Sequence, residues 1–228
     1  MSKKEKVIIV GSEGLVGSEL SNYLKNSYDI KKASLRFGHD FTDESFVENY
    51  FSKNKAQYLI NCFGYNDHVD NSKKSETLFN VSLNSIEKYL TVNVVALFSA
   101  CREFARHSES KGIINLSSIY SMVSPLPELY DNSEKHIGYS ISKAAVNQMT
   151  KHLSTHLAPK VRVNCVVLGG IEAKYQKSKF INKYSKKVPM GRMMQVHEIG
   201  GIIEYLCSDK STYTTGSIIN VDGGWTAW

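Results

Sequence analysis

The stretch Lys6-Val7-Ile8-Ile9-Val10-Gly11-Ser12-Glu13-Gly14-Leu15-Val16-Gly17 decides how the chain folds. A short apolar run, a glycine-punctuated turn and then apolar residues at helical spacing (Leu15, Leu20, Tyr23, Leu24) predict strand, turn and helix in immediate succession. That context gives the glycines their meaning. Gly11 permits a tight turn, Gly14 lets a pyrophosphate approach the backbone, and Gly17 lets helix and strand pack closely. The start of the helix then offers free N–H groups to the phosphates.

Downstream the alternation continues. A second strand falls within residues 28–35, and Gly38-His39-Asp40-Phe41-Thr42-Asp43 leads into a helix over about 43–53. Too few residues separate that strand from Asp40 for a helix and two loops, so strands two and three are expected to join almost directly. Residues 57–62, 112–116, 161–168 and 217–221 read as further strands; 86–107, 139–157 and 196–207 read as helices. The pattern predicts an α/β fold: a single doubly wound domain over 1–228, its mostly parallel sheet covered by helices on both faces. Residues up to about 110 form the cofactor half, and the remainder the catalytic and substrate half.

Composition narrows the classes of function. With 228 residues, 42% of them hydrophobic, the chain suits one domain with a sizeable core. The charged first residues run directly into a short apolar strand, and no later segment approaches a membrane span, so a cytoplasmic location and no membrane partner are expected. Cys62, Cys101, Cys165 and Cys207 lie far apart in apolar settings and read as buried free thiols, with no metal site. The net charge of +6 concentrates in Lys174, Lys177, Lys179, Lys183, Lys186 and Lys187, with no acid among them. That segment is either a solvated surface or a device that steers an anionic substrate or cofactor. No nucleic-acid motif accompanies it.

Tyr139 and Lys143 stand four residues apart, on one helix face. An ammonium beside a phenol favours the phenolate, giving a proton donor that works below the usual tyrosine pKa of ~10. The chain holds two more such pairs. Tyr28/Lys32 lies in a predicted strand, and Tyr175/Lys179 in the lysine-rich segment, so context selects Tyr139 and Lys143. Asn93, a poor helix former in mid-helix, is either solvated or kept for a purpose. Where a dinucleotide fold ends its second strand with an acid for the ribose hydroxyls, this chain has Ser34, Leu35 and Arg36. Arg36 leans the cofactor towards NADP over NAD, while Glu13 would repel a 2′-phosphate.

Taken in order, the Gly11 turn, Asp40, Asn61-Cys62-Phe63-Gly64, Asn93, Ser117-Ser118, Tyr139-x-x-x-Lys143, Val161-Arg162-Val163-Asn164, Thr215-Gly216 and Val221-Asp222-Gly223-Gly224 resemble the short-chain dehydrogenase/reductase superfamily over nearly the whole chain. The active-site motifs are of the classical type, whereas the G-x-x-G-x-x-G spacing is that of the extended members. Asn-Cys-Phe-Gly stands for the usual Asn-Asn-Ala-Gly, and Leu168-Gly169 for Pro-Gly. Ser118 and Tyr139 are 21 residues apart, longer than is usual, which puts an enlarged loop over the substrate site.

The resemblance implies a Rossmann domain that transfers hydride between nicotinamide and a carbonyl or hydroxyl. Tyr139 would move the proton, Lys143 lower its pKa and bond the nicotinamide ribose, Ser118 (with Ser117 as its neighbour) polarise the carbonyl, and Asn93 hold a relay water. Gly11, Ser12, Gly14, Leu15, Gly17, Arg36, Asp40, Asn61, Gly64, Tyr139, Lys143, Gly169 and Ile171 would bind the cofactor. The polar loop and the lysines point to a polar, anionic small molecule, a sugar or nucleotide-activated sugar of glycan biosynthesis. The alternatives are a 3-oxoacyl-thioester reductase and, outside catalysis, a dinucleotide-sensing or scaffold protein. A homodimer or homotetramer is expected, with Trp225 and Trp228 buried at a subunit contact.

Overall fold

A computed structural model describes residues 4–67, 76–107, 109–131 and 133–228. Its elements run β1 (Lys6–Val10), α1 (Leu15–Leu24), β2 (Asp29–Ala33), α2 (Glu44–Lys53), β3 (Tyr58–Asn61), α3 (Leu83–Leu90), α4 (Ala96–Ala105), β4 (Gly112–Ser118), α5 (Ile137–Leu157), β5 (Arg162–Leu168), α6 (Ser178–Ser185), α7 (Gly200–Leu206) and β6 (Ile218–Val221). The described strands form one parallel sheet in the order β2-β1-β3-β4-β5-β6.

Alternation along β1 shows why the sheet needs helices on both sides. Val7 and Ile9 enter a core with Leu20 and Leu24 of α1 and Ile203 and Leu206 of α7. Ile8 and Val10 enter the other, with Val47 and Phe51 of α2, Phe104 of α4 and Val146 of α5. From β1 the chain crosses first to β2 on one flank and later to β3 on the other. This reversal opens a crevice at the carboxyl ends of β1 and β3, where doubly wound sheets bind their ligands.

Two expectations about the elements change. No third strand follows β2 at Asp40. The chain instead makes a 3-10 turn, Leu35–Phe37, closed by Gly38 at φ 76°, and His39 packs on Phe46 and Tyr50 of α2 with ring centroids 5.7 and 5.3 Å away. These contacts fold the segment back onto α2, and β2 becomes the sheet edge, with Lys31 and Lys32 exposed on it. The helix expected over 86–107 starts earlier, at Leu83, and passes through a π turn at Thr91–Val95 that contains Asn93. No described helix is long and apolar enough to cross a membrane.

Candidate active site

The sheet brings the glycine turn, the β3–α3 connection, the end of β4 and the start of α5 to one edge. Gly11 has φ +83°, and a Cβ there would lie 2.6 Å from the Phe63 nitrogen, so the turn must be glycine. A Cβ on Gly17 would meet the Gly11 oxygen at 2.2 Å, which fixes Gly17 as the close-packing position. Helix α1 starts at Gly14 without any side-chain cap. The Ser12 hydroxyl is buried and has no partner. An uncapped helix start beside an unsatisfied hydroxyl fits a phosphate group. Leu15, the first residue of α1, is half exposed beside it.

The adenosine end is less enclosed. Arg36 is exposed in the 3-10 turn, where its N–H donates to Ser34 Oγ (3.2 Å). Asp40 accepts from the Thr42 N–H (2.9 Å) and hydroxyl (2.6 Å), which hold its carboxyl below the ordinary range. Glu13 pairs with Lys32 at 3.5 Å.

At the reaction end, β4 delivers two serines with different tasks. Ser117 Oγ donates to the Lys143 carbonyl (3.1 Å) and ties strand to helix. Burial pushes the Tyr139 phenol above its ordinary range, and the nearby Ser118 hydroxyl, which favours the ionised form, opposes this. Ser118 is therefore the serine that faces the tyrosine. Lys143 Nζ lies 5.9 Å from the Tyr139 ring centroid and donates to the Leu116 carbonyl (3.0 Å); burial pushes its pKa down.

Asn93 is 3% exposed, which excludes the solvated reading. Its Oδ1 accepts from the Tyr65 N–H (2.6 Å), and its Nδ2 donates to the Tyr65 carbonyl (3.0 Å) and to Ser142 Oγ (2.9 Å). Ser142 Oγ in turn donates to the Tyr139 carbonyl (2.8 Å). The amide thus braces the β3–α3 connection against the helix that carries Tyr139 and Lys143. Gly64 completes the corner: a Cβ there would lie 3.2 Å from Asn93 Oδ1 and 3.7 Å from Lys143 Nζ. Asn61 is 1% exposed, and its amide donates to Asn115 Oδ1 (2.9 Å) and Cys101 Sγ (3.4 Å), so its side chain supports the strands beneath the crevice. Gly169 abuts Asp222, where a Cβ would lie 2.9 Å from its Cα, and Ile171 bridges to Met194.

The loop between Ser118 and Tyr139 forms a wall of its own. Tyr120, Leu129 and Tyr130 are buried with Tyr184 and Trp225, and the Tyr120 and Tyr130 hydroxyls are 2.6 Å apart. Tyr184 stacks on Trp225 (centroids 4.4 Å apart) and accepts from the Gly170 N–H (2.6 Å). Trp225 is thus covered by its own chain, contrary to the expectation that a second subunit covers it; Trp228 is 80% exposed. The lysine-rich segment contains α6 and is neither wholly solvated nor unpaired. Lys179 and Lys183 pair with Asp131 (3.1 and 2.6 Å), and Lys187 with Glu128 (2.7 Å).

The sequence reading missed Ser142, Tyr65 and Lys135. Ser142 had a signal, a small polar residue inside the Tyr139–Lys143 helical turn. Lys135 and Tyr65 had none, because their roles come from contacts across the loops. Among the described residues no cluster could hold a metal ion, and Cys101, Cys165 and Cys207 are buried and unpaired, with Cys62 half-buried.

A phosphate-accepting turn on a doubly wound sheet, with serine, tyrosine and lysine converging beside it, defines a dinucleotide-dependent oxidoreductase. Residues 17–226 match the family model described as Enoyl-(Acyl carrier protein) reductase. Over 228 aligned positions the chain is 26% identical to the 3-oxoacyl-[acyl-carrier-protein] reductase FabG of Aquifex aeolicus, covering 96% of this chain and 86% of that one. It is 31% identical to the galactitol 2-dehydrogenase (L-tagatose-forming) of Cereibacter sphaeroides over 148 positions, 61% of this chain and 56% of that one. A crystal structure of a short-chain dehydrogenase from Leptospira borgpetersenii with bound NAD+ superposes with a TM-score of 0.85 at 26% identity, covering 98% and 93% of the two chains. The protein belongs to the short-chain dehydrogenase/reductase superfamily and is an NAD(P)-dependent oxidoreductase of that kind.

Proposed function

We propose that the protein transfers hydride between NADP and a carbonyl or hydroxyl group of a polar, anionic small molecule, a sugar or nucleotide-activated sugar. The observation that carries the reading is the convergence of the Ser118 hydroxyl, the Tyr139 phenol and the Lys143 ammonium, which lies 5.9 Å from the Tyr139 ring centroid. In reduction the Tyr139 hydroxyl gives its proton to the substrate oxygen, and Ser118 holds that oxygen by a hydrogen bond. Lys143 stabilises the phenolate left behind, and Asn93 keeps Ser142 and the 64–65 turn in place around it. Nicotinamide, when bound, would supply or take the hydride. Ser12, Gly14 and the start of α1 would hold the pyrophosphate.

Arg36 supports the lean to NADP, since it has no ion-pair partner among the described residues. The objection from Glu13 weakens because Lys32 neutralises it. A second reading, a 3-oxoacyl-thioester reductase, is favoured by the Aquifex aeolicus relative, whose likeness runs through nearly the whole chain. Absorbance at the nicotinamide band, followed with NADPH and NADH against nucleotide sugars and acetoacetyl thioesters, separates the two. Turnover of the thioester alone overturns the sugar reading, and equal use of NADH overturns the lean to NADP. Exposed Val95, Phe98 and Ile141 on α4, its π turn and α5, together with Trp228, support a homodimer or homotetramer. Light scattering that reports a monomer would contradict it.

A further inference from the structure

The loop between Ser118 and Tyr139 and the helix α6 bring several lysines to the substrate side of the molecule. Their charges go to different places. Lys179, Lys183 and Lys187 are taken up by the loop carboxylates Asp131 and Glu128. Lys135 turns inward. Its Nζ sits 4.4 Å from the centroid of the Tyr139 ring, donates to Asn66 Oδ1, and donates to the Asp67 carbonyl at 3.3 Å. Among the described residues no carboxylate lies within ion-pair distance of it. All its close partners are neutral: an amide oxygen, a main-chain oxygen and a π face.

A half-buried ammonium is costly unless an anion compensates it. Burial pushes Lys135 down to about 8, and the more distant Asp67 carboxylate only partly opposes this. The charge, without a carboxylate partner among the described residues, stands against the ring of the residue proposed to exchange a proton with the substrate. A substrate with its carbonyl at the Tyr139 hydroxyl would lie beside the ring that the Lys135 ammonium faces.

We propose that Lys135 is a specificity-determining residue that binds an oxyanion, a carboxylate or phosphate, carried by the substrate close to its reacting carbon. The inference rests on the reading that the cleft beside Tyr139 is the substrate site. It places the electrostatic selection on one inward lysine, instead of on the lysine-rich segment as a whole.

The test is the affinity of the NADP-loaded protein for glucose, glucuronate and UDP-glucose, measured by calorimetry. The two anionic probes separate a carboxylate from a phosphate source. The wild type is expected to bind one of them at least about tenfold more tightly than glucose, the scale of one hydrogen bond to a charged group. Lys135→Met, which keeps the aliphatic stem, is expected to abolish that preference while leaving glucose binding within about twofold. Lys135→Arg is expected to retain it, which a merely structural role for the stem would not require. A wild type without preference for either anion, a preference that survives Lys135→Met, or a Lys135→Arg variant that behaves like Lys135→Met overturns the proposal. Affinity requires no turnover. Anion selection without hydride transfer on the same compounds would therefore uphold the Lys135 site and defeat the sugar-substrate reading, and their turnover without anion selection would do the reverse.

Discussion

The reaction corner and the substrate wall lie side by side and are held by different physics. At the corner, Ser117, Asn93, Ser142 and Lys143 bond to backbone atoms or to each other, nearly all of them shielded from water. Such bonds are costly to leave unmade, so the geometry around Tyr139 is over-determined. The wall rests on aromatic stacking of Tyr184 on Trp225 and on ion pairs that reach into solvent. Exposed pairs contribute little each. Under the proposed function, this difference keeps the chemistry fixed while the loop sets the substrate preference.

Substitutions that unbalance the two regions should separate them. Lys143→Met removes the cation from the corner, and nicotinamide-linked turnover should fall on the order of 10²-fold or more. Steady-state rates check this. Trp225→Ala should cost about 3–5 kcal/mol of stability in denaturant titration, because it removes the plate under Tyr184 from a buried cluster. Asn93→Ala should cost about 1–3 kcal/mol, since the Tyr65 N–H loses its acceptor in a protected site. The smallest effect belongs to the outer clamp. Asp131→Asn should leave turnover within about twofold and the denaturation midpoint close to that of the wild type.

The pH dependence of that clamp has a definite sign. Lys183 and Lys179 hold the Asp131 carboxyl below its ordinary range, and Lys187 does the same for Glu128. Their contribution is complete above the unfolded carboxylate values of about 4 and is lost as pH falls through the lower folded values. Melting temperatures of the wild type and of the doubly substituted Glu128→Gln, Asp131→Asn protein should therefore converge in acid. They should also converge at high salt.

Much of this was legible in the sequence because it is local. The strand–glycine–helix run at residues 6–17, the alternation of β1, and the four-residue step from Tyr139 to Lys143 follow from backbone period and need no partner. What escaped reading depends on contacts between segments remote in the chain. The lysines of α6 looked unpaired because their carboxylates lie about 50 residues away, in the loop before α5. The strand expected at Asp40 was lost to packing of His39 on α2. Lys135 carries no pattern at all, and only the approach of Asn66 and Tyr139 gives it a role. The family pattern already favoured Ser118 over Ser117, and what the sequence did not show is that Ser117 ties β4 to the α5 backbone.

The central claim, that Tyr139 moves the proton at a nicotinamide site, is tested most directly by Tyr139→Phe. The measurement is the rate of absorbance change at the nicotinamide band for whichever substrate the wild type turns over, taken together with cofactor affinity. The account predicts a loss of about 10²- to 10⁴-fold in rate with cofactor affinity within a few-fold of wild type. A substrate-dependent change that survives Tyr139→Phe at comparable rate would contradict it.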